Sequence, residues 1–203
     1  METTARERSG RPRDPDVDRR VEEAAVDLFG RAGWTGFSID AVARAAGVGK
    51  ASVYLRWDSK EELLTEAVAG AFGPIAAIDT GDVREDLVAL ATLLLELYGG
   101  RTGPAARRMT LESGSIPGIA ERWETVRRSQ VSTARAIVRR AVDRGQLPEG
   151  TSASLLLDAL CGAAMNRPVA TPEHLRPRAE QTREKYARDL VELLLAGATA
   201  SKG

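Results

Sequence analysis

Residues 38–57 read SIDAVARAAGVGKASVYLRW, and their spacing decides how the rest of the chain is understood. Ser38 is a good N-cap, and Ile39, Val42, Ala43 and Ala46 share one face of a helix little more than two turns long. Gly47 ends that helix, because glycine enters the left-handed region without a Cβ penalty. A second short helix is expected over residues 50–57, with Val53 and Trp57 as inward anchors. Small Ala43 where two helices cross, Gly47 at the turn and β-branched Val53 beyond it give the spacing of a helix-turn-helix. The second helix of such a unit enters the major groove of DNA.

Helical signals continue on both sides. Upstream, Val21, Ala25, Leu28, Phe29 and Ala32 line one face of a helix that starts near Asp16 and stops at Gly33. Downstream, Ser59 and Glu62 form a capping box ahead of a stripe of Leu64, Val68 and Phe72, which Gly73-Pro74 breaks. Six of the nine aromatic residues (Phe29, Trp34, Phe37, Tyr54, Trp57 and Phe72) fall in residues 29–72. A unit that small needs large rings to fill a core of its own, which places a boundary near residues 72–81. Further helices are expected over residues 83–98, 104–113, 118–145, 152–166 and 178–196. No strand pattern and no repeat interrupts them, so the chain reads as all-α.

Composition excludes several classes. The 203 residues are 43% hydrophobic, enough for an ordinary core without disulfide or metal staples. The 29 basic residues balance 29 acidic ones, so any nucleic-acid contact must come from local charge placement. A single cysteine, Cys161, rules out an internal disulfide and fits a reducing compartment. The charged N-terminal segment is no secretory signal, and no apolar run is long enough for a bilayer, so a soluble cytoplasmic protein is expected. No catalytic residue, cofactor or metal ligand is expected. The only histidine, His174, sits in a Pro-rich loop, Cys161 has no neighbouring base, and the glycines of residues 33–36 follow a helix and form no phosphate loop.

The run AAVDLFGRAGWTGFSIDAVARAAGVGKASVYLRWDSKEELL, residues 24–64, resembles the DNA-binding domain of the TetR family of transcriptional repressors. The glycine-aromatic pair after the first helix, the A-x-x-A-G-V turn, S-V-Y-x-x-W and S-K-E-E-L-L occur together in order. The remaining chain matches in being helical and of similar length. Residues 1–15, polar with Pro12 and Pro15, read as a disordered basic arm. The resemblance implies a three-helix helix-turn-helix DNA-binding domain at 16–73 and a larger helical effector-binding and dimerisation domain at 82–203. Tyr54 matches the family tyrosine that bonds a phosphate, and Arg56 is a possible second phosphate contact. Lys50 can pair with guanine O6 and N7, Ser52 with either kind of base edge, and Ala51 or Leu55 can touch a thymine methyl. Lys60 suits a phosphate at a helix start, Ser38 and Arg44 can reach the backbone across the groove, and Gly49 permits close approach. Taken singly, Tyr54 is as ordinary as a half-buried core residue, and Arg56 and Lys60 as solvated charges; together they favour DNA. Arg6, Arg8, Arg11 and Arg13 either follow the minor groove or only solubilise the terminus.

In the larger domain the resemblance implies a small-molecule site. Met109, Trp123, Cys161 and Met165 are candidate wall residues, with Glu112 and Asn166 as polar contacts, against the ordinary reading that each packs in the core or lies on the surface. Ala159, Gly162, Ala163 and Ala164, with the stripe of Tyr186, Leu190, Leu193 and Leu194, form either a homodimer interface or faces buried within one subunit. The expected function is a ligand-responsive repressor released from a palindromic operator in double-stranded DNA. The alternative is a helical ligand-binding or interaction module without a transcriptional role.

Overall fold

The computed structural model describes residues 15–71 and 78–200, with side chains through 198. The arginines of the basic arm, Phe72 and the Gly73-Pro74 break lie outside the described residues. The described residues form ten α-helices and two short 3-10 turns joined by loops, with no strand among them.

Helix α1 (Pro15–Ala32) opens with proline and the acidic Asp16 and Asp18, which complement the helix dipole. It buries Val21, Ala25, Val26 and Phe29 and closes at Gly33, φ +63°, whose N–H reaches the Phe29 carbonyl at 2.9 Å. Helix α2 (Ile39–Ala46) is capped by the Ser38 hydroxyl, which accepts from the Ala41 N–H at 3.3 Å. Its end is a Schellman reversal. Gly47 lies at φ +66° and donates to the Arg44 carbonyl, while Val48 donates to the Ala43 carbonyl at 3.0 Å. Helix α3 (Lys50–Tyr54) is shorter than the sequence spacing predicts, because the chain turns at Leu55 and Arg56 to deliver Trp57 into the core.

Helix α4 (Lys60–Gly70) starts on the Ser59 hydroxyl, which accepts from the Glu62 N–H at 3.1 Å. The Glu62 carboxylate reaches back past the cap and accepts from the Asp58 N–H at 2.7 Å. Rings fill the space among these helices: Phe29 meets Phe37 edge-on at 6.3 Å, and Trp34 stacks on Phe37 at 5.9 Å.

Helix α5 (Val83–Gly99) is the centre of the second half and packs against both α8 (Ala153–Ala170) and α10 (Arg183–Ala200). Between them in sequence come α6 (Gly103–Glu112), α7 (Ala120–Asp143) and, before α10, the short α9 (Arg176–Gln181). Helix α8 runs past the expected end at residue 166 and carries Pro168 inside it. The helix predicted over residues 178–196 divides at Thr182, whose hydroxyl donates to the Arg178 carbonyl at 2.9 Å and ends α9 there.

The two halves are joined by contact as well as by chain. Helix α6 crosses α1 so closely that a Cβ on Gly30 would lie 3.1 Å from the Pro104 Cβ and 3.2 Å from the Ala105 nitrogen. Arg108 donates to the Gly30 carbonyl at 3.3 Å, and Arg101 grips the Asp27 carboxylate in a bidentate pair.

The φ at Gly47 generates a stability test. Gly47→Ala puts a Cβ into the left-handed region and is expected to cost about 1–2 kcal/mol. Gly49→Ser, at φ −71° with open space around the added atom, is expected to be neutral or to stabilise α3 by a few tenths through capping. Urea midpoints of the two variants check both.

Candidate DNA interface and effector cavity

Helix α3 has one inward residue and several outward ones. Val53 is fully buried, and at 100° per residue Ala51 and Leu55 stand on the opposite side. Leu55 is 75% exposed and Tyr54 50% exposed. Lys50 and Ala51 are exposed, Ser52 is half-buried, and Gly49 ahead of them has nothing within 4 Å of where a Cβ would stand. The exposed Arg44 near the end of α2 and the exposed Ser38 at its start belong to the same unit. Ser38 uses an oxygen lone pair as the cap, which leaves its hydroxyl proton to donate.

Two cations are already engaged. Lys50 Nζ lies 2.9 Å from a carboxylate oxygen of Asp40 and 5.8 Å from the centre of the Tyr54 ring. The hydrogen bond to Asp40, then its charge, holds the Lys50 ammonium above its usual range. Both groups are well exposed, and such a pair is worth little in water, so a base edge can displace Asp40. Lys60 Nζ sits 3.8 Å above the Trp34 ring, which fixes the side chain while leaving a charge at the start of α4.

Arg56 is different and corrects the sequence expectation. Its guanidinium is only 13% exposed, pairs with the Asp18 carboxylate of α1 and donates to the Ser52 carbonyl at 2.9 Å. It clamps α3 to α1, so its donors are engaged within the subunit. Asp18, and Asp40 as the holder of Lys50, are site residues that sequence reasoning missed. Asp40 is readable in sequence only as an acid in the first turn of a helix, and nothing local pairs Asp18 with a residue 38 positions away.

In the larger half, a cavity of about 240 Å³ opens where the ends of α5 and α8 meet the starts of α6, α9 and α10. Leu95, Tyr98, Pro104, Pro168 and Tyr186 give it apolar wall, and Arg107, Arg167, Arg176 and Arg183 also line it. A wider depression of about 600 Å³ beside α5 and α9 is lined largely by exposed residues, Glu85, Glu96, Glu180 and Glu184 among them, and encloses little.

None of the six expected wall and contact residues lines the 240 Å³ cavity. Met109 and Trp123 are core residues, fully and almost fully buried. Glu112 is paired with Arg108 at 2.9 Å, Met165 packs against the core, and Asn166 is exposed. Burial pushes the Cys161 thiol up to about 11, and the Asp158 charge adds to the shift. Adaptable apolar residues drew attention in the sequence, whereas the concavity lies at helix ends where arginines and prolines gather.

At the cavity wall Arg183 holds Glu180 at 3.2 Å and, outside the lining, Glu96 at 3.1 Å. The Arg167 guanidinium stacks 4.5 Å from the Tyr186 ring centre, and Arg107 donates to the Tyr98 carbonyl. Burial first, and the Arg176 charge second, hold the Arg107 guanidinium below its usual range.

Two short helices around a glycine elbow, with a buried anchor beneath and hydroxyl, ammonium and methyl groups above, define a helix-turn-helix DNA-binding protein. Residues 23–67 match the family described as bacterial regulatory proteins, tetR family, and residues 77–194 match the tetracyclin repressor-like C-terminal domain. The second match alone covers more than half of the chain, and the protein belongs to the TetR family of DNA-binding transcriptional regulators. It is 26% identical over 197 residues to the HTH-type transcriptional regulator YdeS of Bacillus subtilis, covering 95% of this chain and 94% of that one. It is 29% identical over 144 residues to the regulator AqdR of Rhodococcus erythropolis, covering 70% of each. Among solved structures, FadR of Bacillus halodurans shares the fold with a TM-score of 0.73 at 17% identity, covering 92% of this chain and 98% of that one. FadR of Bacillus subtilis, solved with stearoyl-CoA, does so with a TM-score of 0.69 at 18% identity, covering 88% and 98%. No helix among the described residues is long and apolar enough to cross a membrane.

The raised Cys161 value has a direct check. A thiol near 11 is only about one part in a thousand thiolate at pH 8, so alkylation of the folded protein is expected to be slow there. Its rate should keep rising through pH 10, whereas the denatured chain should level off near an ordinary thiol value of about 8.5. Iodoacetamide kinetics against pH measure both.

Proposed function

We propose that the protein works as a homodimeric repressor that leaves a palindromic operator when a small molecule enters the 240 Å³ cavity. The observation that carries this reading is the outward set on and around α3, seated on buried Val53 and Trp57. Residues 16–73 are taken as the DNA-reading unit and 82–203 as the effector and dimerisation unit, in a cytoplasmic protein that is no enzyme. In this reading Tyr54, Ser38, Arg44 and Lys60 contact phosphates and fix register, while Lys50, Ala51, Ser52 and Leu55 meet base edges and Gly49 allows the approach.

Dimerisation supplies the second recognition helix. Leu155 on α8 is 72% exposed and Leu193 on α10 is 71% exposed, and Ala159 and Val169 are exposed on α8 as well. Such side chains on two helices packed together suit a two-fold helical interface. Ala164 is excluded from it because it is fully buried within the subunit, and Leu190 and Leu194 are half-buried there. Two units related by a two-fold axis then meet successive major grooves about 34 Å apart.

The cavity and the DNA-reading half share α6. Pro104 and Arg107 line the cavity, while Pro104 and Ala105 also abut Gly30 of α1 and Arg108 bonds the Gly30 carbonyl. A ligand that prefers one placement of α6 therefore biases α1, and with it the helices that α1 carries. It releases DNA only to the extent that it binds the two arrangements with different affinity.

Three substitutions test the roles. Tyr54→Phe is expected to weaken binding to operator and random duplex alike by about 1 kcal/mol, the loss of one phosphate hydrogen bond. Lys50→Ala is expected to change base preference by about 1–3 kcal/mol at one position. Both are read by fluorescence anisotropy on a fragment from upstream of the protein's own gene. Leu193→Glu is expected to shift sedimentation from dimer to monomer and to weaken operator binding with it. A wild-type protein that sediments as a monomer while holding operator tightly would contradict the dimeric reading.

A further inference from the structure

Three of the four arginines that line the 240 Å³ cavity have no carboxylate partner among the described residues. Of the four that line it, Arg183 is the one that pairs with carboxylates, Glu96 and Glu180. Among the described residues no carboxylate forms an ion pair with Arg107, Arg167 or Arg176. Arg167 is turned onto the Tyr186 ring. Arg107 is half-buried and oriented by its bond to the Tyr98 carbonyl, so part of its donor fork is fixed before any ligand arrives. Arg176 sits on α9, a helix that buries none of its residues.

Burial of Arg107, and then the like charge of Arg176 at the same cavity, disfavour the charge on the Arg107 guanidinium. An anion removes that repulsion, and a guanidinium fork matches a carboxylate in plane and spacing. Leu95, Pro104, Pro168 and Tyr186 give the remaining wall its apolar and aromatic part, beside Thr171 and Glu180, the latter taken up by Arg183. The volume lies just below the roughly 300–1,000 Å³ common for ligand sites, and at about 30 Å³ per water-sized group it admits a body of about eight such groups.

We infer that this cavity binds a small organic acid, its carboxylate held between Arg107 and Arg176 and its apolar body against Leu95, Pro104, Pro168 and Tyr186. The inference rests on the reading of the cavity as the effector site and names the chemical class that enters it. Arg183 is outside the anion contact because Glu96 and Glu180 occupy it. A neutral molecule of the same shape leaves both arginines uncompensated and binds less well.

Calorimetric titration of the full chain with benzoate and octanoate, each against its neutral amide, tests this. Both acids are expected to bind at or below about 10 mM, and benzamide and octanamide at least about tenfold more weakly. Arg176→Gln, at an exposed position, is expected to lose about tenfold in affinity for the acids with an unchanged denaturation midpoint, and Arg176→Lys to recover part of it. Arg107→Gln should give the same loss, and circular dichroism separates that from misfolding. Equal binding of acid and amide, no acid binding up to about 10 mM, or no effect of Arg176→Gln would overturn the inference. Phenyl phosphate binding tenfold tighter than benzoate would overturn the choice of carboxylate.

A parallel anisotropy titration on the upstream DNA fragment separates this inference from the reading beneath it. Acids that bind without changing DNA affinity uphold the ligand class and remove the effector role. DNA release by the neutral amides alone does the reverse.

Discussion

A helix of five residues cannot hold itself in water, so the placement of α3 depends on what lies beneath it. Val53 is fully buried and Trp57 nearly so, and the Trp57 indole N–H donates to Glu66 of α4 at 2.8 Å. Arg56 fastens the same end to Asp18 of α1. At the other end the reversal at Gly47 fixes the angle from α2, through the paired N–H bonds of Gly47 and Val48. With both ends determined by tertiary contacts, Lys50, Ala51, Tyr54 and Leu55 have no direction left but outward. The exposure of a leucine and a tyrosine there follows from that restraint and suits contact with a groove.

The same restraint ties the reading surface to the rest of the molecule. Helix α1 holds Arg56 through Asp18 at one point, meets α6 through Gly30 at another, and holds Arg101 in the turn before α6 through Asp27. One helix therefore carries the contacts to α3 and those to α6. Close packing at Gly30, where a Cβ has about 3.1 Å to the nearest atom, makes that crossing intolerant of slippage.

Much of the first half was legible in sequence because its signals are local. Ser38 and Ser59 as caps, Gly33 and Gly47 as left-handed stops, and Trp57 as a core residue are each decided by neighbours within a few positions. Pairings across long separations were not. Nothing in the run around Arg56 announces Asp18, so a clamp read as a free cation. The 240 Å³ cavity was not anticipated for a related reason: it lies at the meeting of five helix ends, and its arginines are scattered from 107 to 183. In sequence they resemble solvated charges, whereas Met109 and Cys161 attracted attention as adaptable packing residues and proved to be no part of the cavity.

The account stands or falls on which face of the protein meets DNA. Amide chemical-shift mapping of labelled protein, titrated with a duplex from upstream of its gene at low ionic strength, measures this most directly. The account predicts the largest shifts at Ser38, Arg44 and residues 49–55, with α8 and α10 unaffected by direct contact. Shifts confined to α7–α10, or none at any DNA concentration, would contradict it.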